Sequence, residues 1–317
     1  MKKLLLGIML GGALMASGAE AQPVGLGTSP QGTITYAMGA AVAKVLTEKG
    51  NIQARVQPSS GTGTMIPLID SGEIDIGFCN SLELYDAFHG VGTFDKRPNK
   101  KLRTLAVLFP IRVGLFVRND SPIKTVKDLK GKRVAYGFTS QEVIKLTVDA
   151  MLATSGLTAN DVQPVLVPNL VRGVDDLIAG RVDATTFAIG GPKPAEADAA
   201  VGIRWLPLEE TPEAVAGLQK HFRTAYMVKV QPAPNLAGVR EPITTMAYDY
   251  TLFANADLPA ARIKQITQLV AENKDMLATG QPLFRQMAQE RLFTKVDVPY
   301  HDGAVAYFRE KGIKEGQ

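Results

Sequence analysis

Residues 25–49 read GLGTSPQGTITYAMGAAVAKVLTEK, and the class of fold can be argued from this stretch. Val24 and Leu26 mark a short buried strand, which runs into a loop of glycines and hydroxyls and then a helix. Ile34, Ala37, Met38, Ala41, Val42, Val45 and Leu46 recur at helical spacing and make one apolar stripe. Lys44 and Lys49 near the C-terminal end suit the helix dipole, and Gly50 is expected as the left-handed cap. Thr28, Ser29, Gln31 and Thr33 surround the first turn, whose backbone N–H groups have no partners inside the helix. A strand, a loop and a helix N-terminus in this order make a ready site for an anion.

Outward from there the same order recurs. Ile52–Gln57 alternates apolar and polar residues as a half-buried strand ended by Pro58. The loop Ser59–Thr64 then feeds a helix from about Met65, with Pro67 expected in its first turn. Ile74, Ile76 and Phe78 mark a third strand ending at Cys79-Asn80-Ser81, and Leu84–Gly90 reads as helix. Leu102–Phe109 is a further buried strand, expected to break at Pro110-Ile111-Arg112 and resume over Val113–Val117 as a crossover. A second round follows, with strands at Arg133–Tyr136, Val162–Val167 and Val182–Ile189. Its loop is Gly137–Gln141 and its helices are Glu142–Ser155 and Val171–Ala179. The halves echo each other in letters: LIDSGEIDI at 68–76 is answered by LIAGRVDA at 177–184.

This order predicts an α/β protein of two similar lobes. Lobe I is expected over 22–112 plus 244–317 and lobe II over 113–243. The tail reads as a helix at Ala195–Ala200, a strand at Ile203–Leu208 and a helix at Pro212–His221. A Pro-rich loop at Lys229–Glu241 and a return crossover at Thr244–Phe253 follow. Ala260–Leu277 is expected as one helix capped by Gly280, and Tyr300–Lys311 closes the chain with Ala304, Tyr307 and Phe308 on one face.

Composition narrows the class. The 317 residues are enough for two lobes, and 45% apolar with 21% charged residues is that of a folded protein. A net charge of +4, with no basic cluster interleaved with aromatics, argues against a nucleic-acid partner. Met1-Lys2-Lys3, the apolar run Leu4–Ala16 and Ala19-Glu20-Ala21 read as a signal peptide over 1–21, with the mature chain from Gln22. The apolar run is shorter than the roughly 20 residues of a membrane span, so a periplasmic monomer is expected. The single Cys79 has no partner for an internal disulfide.

Several motifs together resemble the TAXI family, the periplasmic solute receptors of tripartite TRAP transporters. They are the opening loop and helix, the Ser60–Gly63 loop (Ser-Gly-Thr-Gly), Ser71–Ile76 (Ser-Gly-Glu-Ile-Asp-Ile), Asp128–Val134, and the closing Tyr300–Ala304 and Tyr307–Arg309. The resemblance spans the mature chain in order. It implies a type II periplasmic-binding-protein fold, two α/β lobes joined by crossover hinge strands with the ligand cleft between. It also implies a small carboxylate ligand, an amino acid or an oxo- or dicarboxylic acid, delivered to TRAP permease subunits in the membrane. This chain departs from the family at Pro30-Gln31-Gly32 with a lone Tyr36, and at Cys79-Asn80-Ser81, where the family often carries Gln-Ser-Asp. The second departure removes an acid that would meet an ammonium group.

In such sheets ligands sit beyond the carboxyl ends of the strands. That selects Thr28, Ser29, Gly32, Thr33 and Tyr36 after the first strand. Ser60, Thr62, Gly63 and Thr64 follow the second, with Asn80 and Ser81 at the end of the third. From the second lobe come Thr139, Ser140 and Gln141, then Thr186, Phe187 and Gly190. Arg112 at the crossover is the candidate cation for an anion, and Arg172 a weaker one. Each Ser or Thr is equally an ordinary helix cap.

No catalytic set emerges. His89, His221 and His301 lack metal-ligand spacing, and the glycine loops lack a Gly-Lys-Ser/Thr ending. Cys79 reads as a small buried thiol, and Asp75 and Asp183 as structural residues at strand starts. No cofactor or metal is expected. A ligand-presenting sensor for a membrane kinase and an exported enzyme on the same fold stay open as alternatives.

Overall fold

The computed structural model describes residues 23–31, 33–139 and 142–316. The expected signal peptide, Gly32, Ser140 and Gln141 lie outside the described residues. The first α/β unit runs β1 (Val24–Thr28), α1 (Ile34–Gly50), β2 (Ala54–Pro58), α2 (Thr62–Ser71), β3 (Ile76–Asn80) and α3 (Ser81–His89). β1 lies between β2 and β3, parallel to both. α1 buries Met38, Ala41, Val42, Val45 and Leu46, most of the stripe read from its spacing. Its left-handed cap is Asn51 at φ 49°, not Gly50. Gly50 stays helical where a Cβ would come within 2.4 Å of Leu269 Cδ1, so packing explains that glycine.

Then comes β4 (Leu102–Arg118), one unbroken strand. The second unit follows as β5 (Arg133–Gly137), α4 (Glu142–Ala153), β6 (Gln163–Val167), α5 (Leu170–Ile178), β7 (Ala184–Ala188) and α6 (Pro192–Val201). β5 again lies between two parallel neighbours, β6 and β7. The chain continues through β8 (Ile203–Trp205), α7 (Pro212–His221), β9 (Tyr226–Val230) and β10 (Ile243–Asn255). It ends with α8 (Ala260–Glu272), α9 (Lys274–Gly280) and α10 (Asp302–Glu310). The strand order is β2-β1-β3-β10-β4-β7-β5-β6, with β8 on β4 and β9 on β10.

The antiparallel pair β4 and β10 is therefore shared. Residues 102–109 of β4 meet β10 beside β3, while residues 113–117 pair with β7. This is the two-unit α/β fold with crossover strands expected from the sequence. The expected break at Pro110 does not occur. Pro110 pairs with Asp249 of β10 and lies before the part of β4 that pairs with β7, while β4 carries an extra residue at each of two register shifts, Leu108 opposite Tyr250/Thr251 and Leu105 opposite Leu252/Phe253.

Three other expectations give way. α2 begins at Thr62, so Pro67 falls inside it with its ring exposed, and the carbonyl it cannot bond belongs to exposed Gly63. Lys229 and Val230 belong to β9 rather than to a loop. The long C-terminal helix is two, interrupted at Asn273, whose side-chain amide donates to Leu269 O at 2.8 Å. The closing helix is as read, with Ala304, Tyr307 and Phe308 buried.

Candidate functional site

The first unit's strand ends carry much of the expected chemistry, with some residues turned away. Thr28 is fully buried against α1, where a Cβ on Gly39 would lie 2.4 Å from Thr28 Cγ2. Its methyl packs on α1, and its hydroxyl oxygen is enclosed without a hydrogen-bond partner among the described residues. Thr33 is the N-cap of α1, accepting from Tyr36 N at 3.2 Å and donating to Pro30 O at 2.7 Å. Thr35, which the sequence did not single out, accepts the Ser29 N–H at 3.2 Å and so shapes the loop. Tyr36 is half-buried beside it. At α2, Ser60 and Thr64 share a hydroxyl hydrogen bond of 2.9 Å, Gly63 is exposed, and Thr62 donates to Glu83.

In the second unit Thr139 is exposed and follows a strained turn. Gly137 has φ +84°, Phe138 is left-handed at φ +49°, and Phe138 N donates to Tyr136 O at 3.1 Å. Thr186 is buried and donates to Gly114 O at 2.9 Å across the ladder, so its side chain is withdrawn from the strand end. Phe187 is half-buried against the turn at Gly191, and Gly190 takes φ +84° there. Arg172 is committed elsewhere: it pairs with Asp176 at 3.0 Å, which Arg181 also holds.

Arg112 differs from Arg172 and Arg181. It stands on β4 in the hinge, opposite Ala247 of β10, and its carbonyl accepts Ile189 N at the end of β7. Its guanidinium is half-buried, and burial alone pushes its pKa down. No acid or acceptor among the described residues pairs with it. Helices α1, α2, α5 and α6, which start beyond strand ends, carry no acid in their first turns. Their N-terminal dipoles are left for something else to neutralise.

α3, by contrast, carries Glu83 in its first turn. Asn80 caps it, accepting Glu83 N at 2.9 Å, and the Asn80 amide donates in turn to the Glu83 carboxylate, which also receives the Thr62 hydroxyl. Burial raises the Glu83 carboxyl to about 7 against these two bonds, with Asp86 adding repulsion. The Glu83 charge also raises Tyr248 and Tyr250, whose pKa values are lifted chiefly by burial. Glu83 lies beyond the strand end, in the first turn of α3. The Asn-x-x-Glu spacing of a capped helix start was the available signal.

α3 also touches the second unit. Ser81 Oγ donates to Thr224 Oγ1 at 2.9 Å, and the Arg223 guanidinium lies 4.5 Å from the centre of the Tyr85 ring. Crevices of about 250 and 330 Å³ open on either side of this contact. At the hinge, Tyr226 and Arg291 both donate to Asp249 Oδ1, at 2.8 and 2.7 Å. Cys79 is buried, and burial pushes its thiol up, as suits a packing residue. Among the described residues no group of three or more His, Cys, Asp or Glu could hold a metal ion, and no helix is long and apolar enough to cross a membrane.

This architecture is that of periplasmic binding proteins. The chain is similar to a TctC solute-binding protein from Polaromonas, at TM-score 0.55 and 14% identity over 93% of this chain and 96% of that one. It is also similar to the periplasmic aliphatic sulphonate-binding protein SsuA from Escherichia coli, at 0.50 and 16% over 92% and 88%. A third likeness is to the GluR0 ligand-binding core solved with L-glutamate, at 0.51 and 11% over 85% and 100%. Residues 26–312 match the NMT1-like family, and the chain belongs to that family.

Proposed function

We propose that this protein is a periplasmic solute receptor that captures a small carboxylate between its two lobes and delivers it to the membrane subunits of a TRAP transporter of the TAXI type. The observation that carries the reading is the unpaired Arg112 guanidinium in the hinge. A half-buried cation without an acid costs free energy that an incoming anion recovers, and charge-assisted bonds to a carboxylate are about twice as strong as neutral ones. The acid-free starts of α1, α2, α5 and α6 support the same sign of ligand. Ser29, Thr33, Tyr36, Ser60, Thr64, Ser81 and Thr139 supply polar groups at the same strand ends, with Gly63 and Gly190 leaving room for close approach. The lobes are taken as 22–112 with 244–317, and 113–243, and the secretory segment as 1–21.

The test is a thermal-shift screen of the mature protein against small monocarboxylates, oxo-acids, dicarboxylates and amino acids. A true ligand at about a hundred times its Kd stabilises the fold by roughly 2.7 kcal/mol. A carboxylate hit is the expected result. A screen in which only uncharged or cationic compounds shift the transition would refute the reading.

A further inference from the structure

We infer that the solute carries a single charge, its carboxylate, and that the rest of it is an apolar body packed against Phe187: an aryl or alkyl monocarboxylate. This rests on the carboxylate reading above and names the ligand class within that site.

The first observation is the charge content of the loops that lead from strand ends into helices. Residues 29–33 and 59–61 in the first unit, and 138–141, 168–169 and 189–191 in the second, contain no Lys, Arg, Asp or Glu, and β3 runs directly into α3. In the second unit the cation that follows each loop is held: Lys145 by Asp149, Arg172 by Asp176, and Lys193 by Asp175 and Glu196. In the first unit α2 and α3 contain no Lys or Arg, and the first in α1 is the exposed Lys44 in its second half. Arg112 is half-buried and without a partner among the described residues. A second carboxylate buried beside it would meet no further cation, and an unpaired buried charge is costly.

A ligand amine is no better served. Asp249, on the same face of β10 as Ala247 opposite Arg112, is taken by Tyr226 and Arg291. Glu83 follows Asn80, whose ladder partner Tyr250 stands on the other face of β10 from Ala247, and it is already bonded by Thr62 and Asn80.

The second observation is independent and concerns what stands beside Arg112. β4 is antiparallel to β7 with Gly114 opposite Phe187, and to β10 with Arg112 opposite Ala247. Residues opposite each other share a face of the sheet, as do residues two apart on one strand. Arg112, Gly114, Ala247 and Phe187 therefore share one face. Phe187 is diagonal to Arg112, a spacing of about 7–8 Å that long and aromatic side chains bridge. Gly114 puts no side chain between them, and the Trp205 indole lies 2.8 Å from where its Cβ would stand. Phe187 is half-buried, with its ring edge against Gly191. Core packing accounts for the enclosed Trp205, but not for a phenyl left partly in water beside an unpaired guanidinium.

A carboxylate on Arg112 thus leads its own body over a methyl and a phenyl ring. An alkyl chain or aryl ring there removes apolar area from water on both partners, and an aryl ring adds ring packing on Phe187. A polar tail in the same place would give up its water without a partner.

The experiment is calorimetric titration of the mature protein with two matched series. One is 3-phenylpropanoate, phenylalanine and 3-(4-carboxyphenyl)propanoate; the other is hexanoate, norleucine and hexanedioate. In each series the plain acid should bind wild type at least tenfold tighter than the member with an amine or a second carboxylate. Phe187→Ala should weaken 3-phenylpropanoate at least tenfold, and Phe187→Leu should restore part of that loss. If Phe187→Ala does not fold, the wild-type ranking and a loss for 3-phenylpropanoate in Phe187→Leu decide. An amine-bearing or dicarboxylate member that binds wild type as tightly as its plain acid overturns the apolar body and leaves the carboxylate reading standing. So does a folded Phe187→Ala that binds 3-phenylpropanoate as wild type does, or a wider screen whose hits are confined to dicarboxylates, oxo-acids or amino acids. Failure of all six compounds, with no carboxylate hit in the wider screen, overturns both.

Discussion

Asp75 and Asp183 make the same bond at the same place in the two halves of the chain. Asp75 accepts Gly25 N at 2.6 Å and Asp183 accepts Arg133 N at 2.8 Å, each from 50 residues away. In both cases the backbone answers: Asp75 N donates to Gly25 O and Asp183 N to Arg133 O. Each carboxylate thus ties the first strand of its unit to the third before the parallel ladder begins. Removing either to alanine should cost about 1.5–3 kcal/mol, the range for a hydrogen bond to a charged group, measured by urea unfolding. Asp183 is also held below the usual carboxylate range, first by the Arg133 side chain. Its contribution should be full above the unfolded carboxylate pKa and lost as pH falls through the folded one. A Asp183→Asn penalty that persists unchanged into strong acid would contradict this.

Each unit also holds one tight glycine–threonine contact, between different elements in the two. A Cβ on Gly39 would lie 2.4 Å from Thr28 Cγ2, and one on Gly173 would lie 2.7 Å from Thr185 Oγ1. Gly39→Ala and Gly173→Ala should each destabilise by about 1–3 kcal/mol through overpacking. Adding Thr28→Ser to Gly39→Ala removes the offending methyl and should recover at least half of the loss. Additive penalties in the double mutant would show that the clash lies elsewhere.

Glu83 carries a pH signature of its own. With its carboxyl raised to about 7, the folded state keeps a proton that the unfolded chain gives up near 4.3. The native state binds more protons in that window, so stability falls as pH rises from about 4.3 to 7 and then levels off. The slope is at most about 1.4 kcal/mol per pH unit. Glu83→Gln should flatten the curve, and identical pH profiles for the two proteins would be the contrary result.

The contact between α3 and the turn after α7 should hold the lobes together. Arg223→Ala, with the ring contact to Tyr85 and the attraction of Asp86 gone, should raise the radius of gyration of the ligand-free protein in small-angle scattering. An unchanged radius would mean that the hinge group Tyr226–Asp249–Arg291 alone sets the lobe angle.

Much of the fold was legible because periodicity is local. The α1 stripe, the α7 helix and the repeated Gly-x-x-Asp at third-strand starts each sit within a short stretch of chain. What was not legible depended on distant partners. Pro110 stays in a strand because it pairs only with Asp249 of β10, ahead of the β7 ladder that begins at Val113, and Gly50 is helical where Leu269 occupies the space a side chain would need. The site followed the same rule. At the strand ends, Thr28 packs against α1 and Thr186 bonds the Gly114 carbonyl of β4, contacts that strand-end spacing does not reveal. Glu83 lies one helical turn past the strand end, where its bond with Thr62 of the neighbouring helix is visible only in three dimensions.

The central claim is that the hinge cation is kept for a carboxylate. Calorimetric titration of the tightest carboxylate hit into wild type and Arg112→Met tests it most directly. The account predicts unchanged or slightly higher thermal stability for the variant, since burial opposes the charge, with a loss of affinity of about tenfold to a hundredfold. Equal affinity for the two proteins would contradict it.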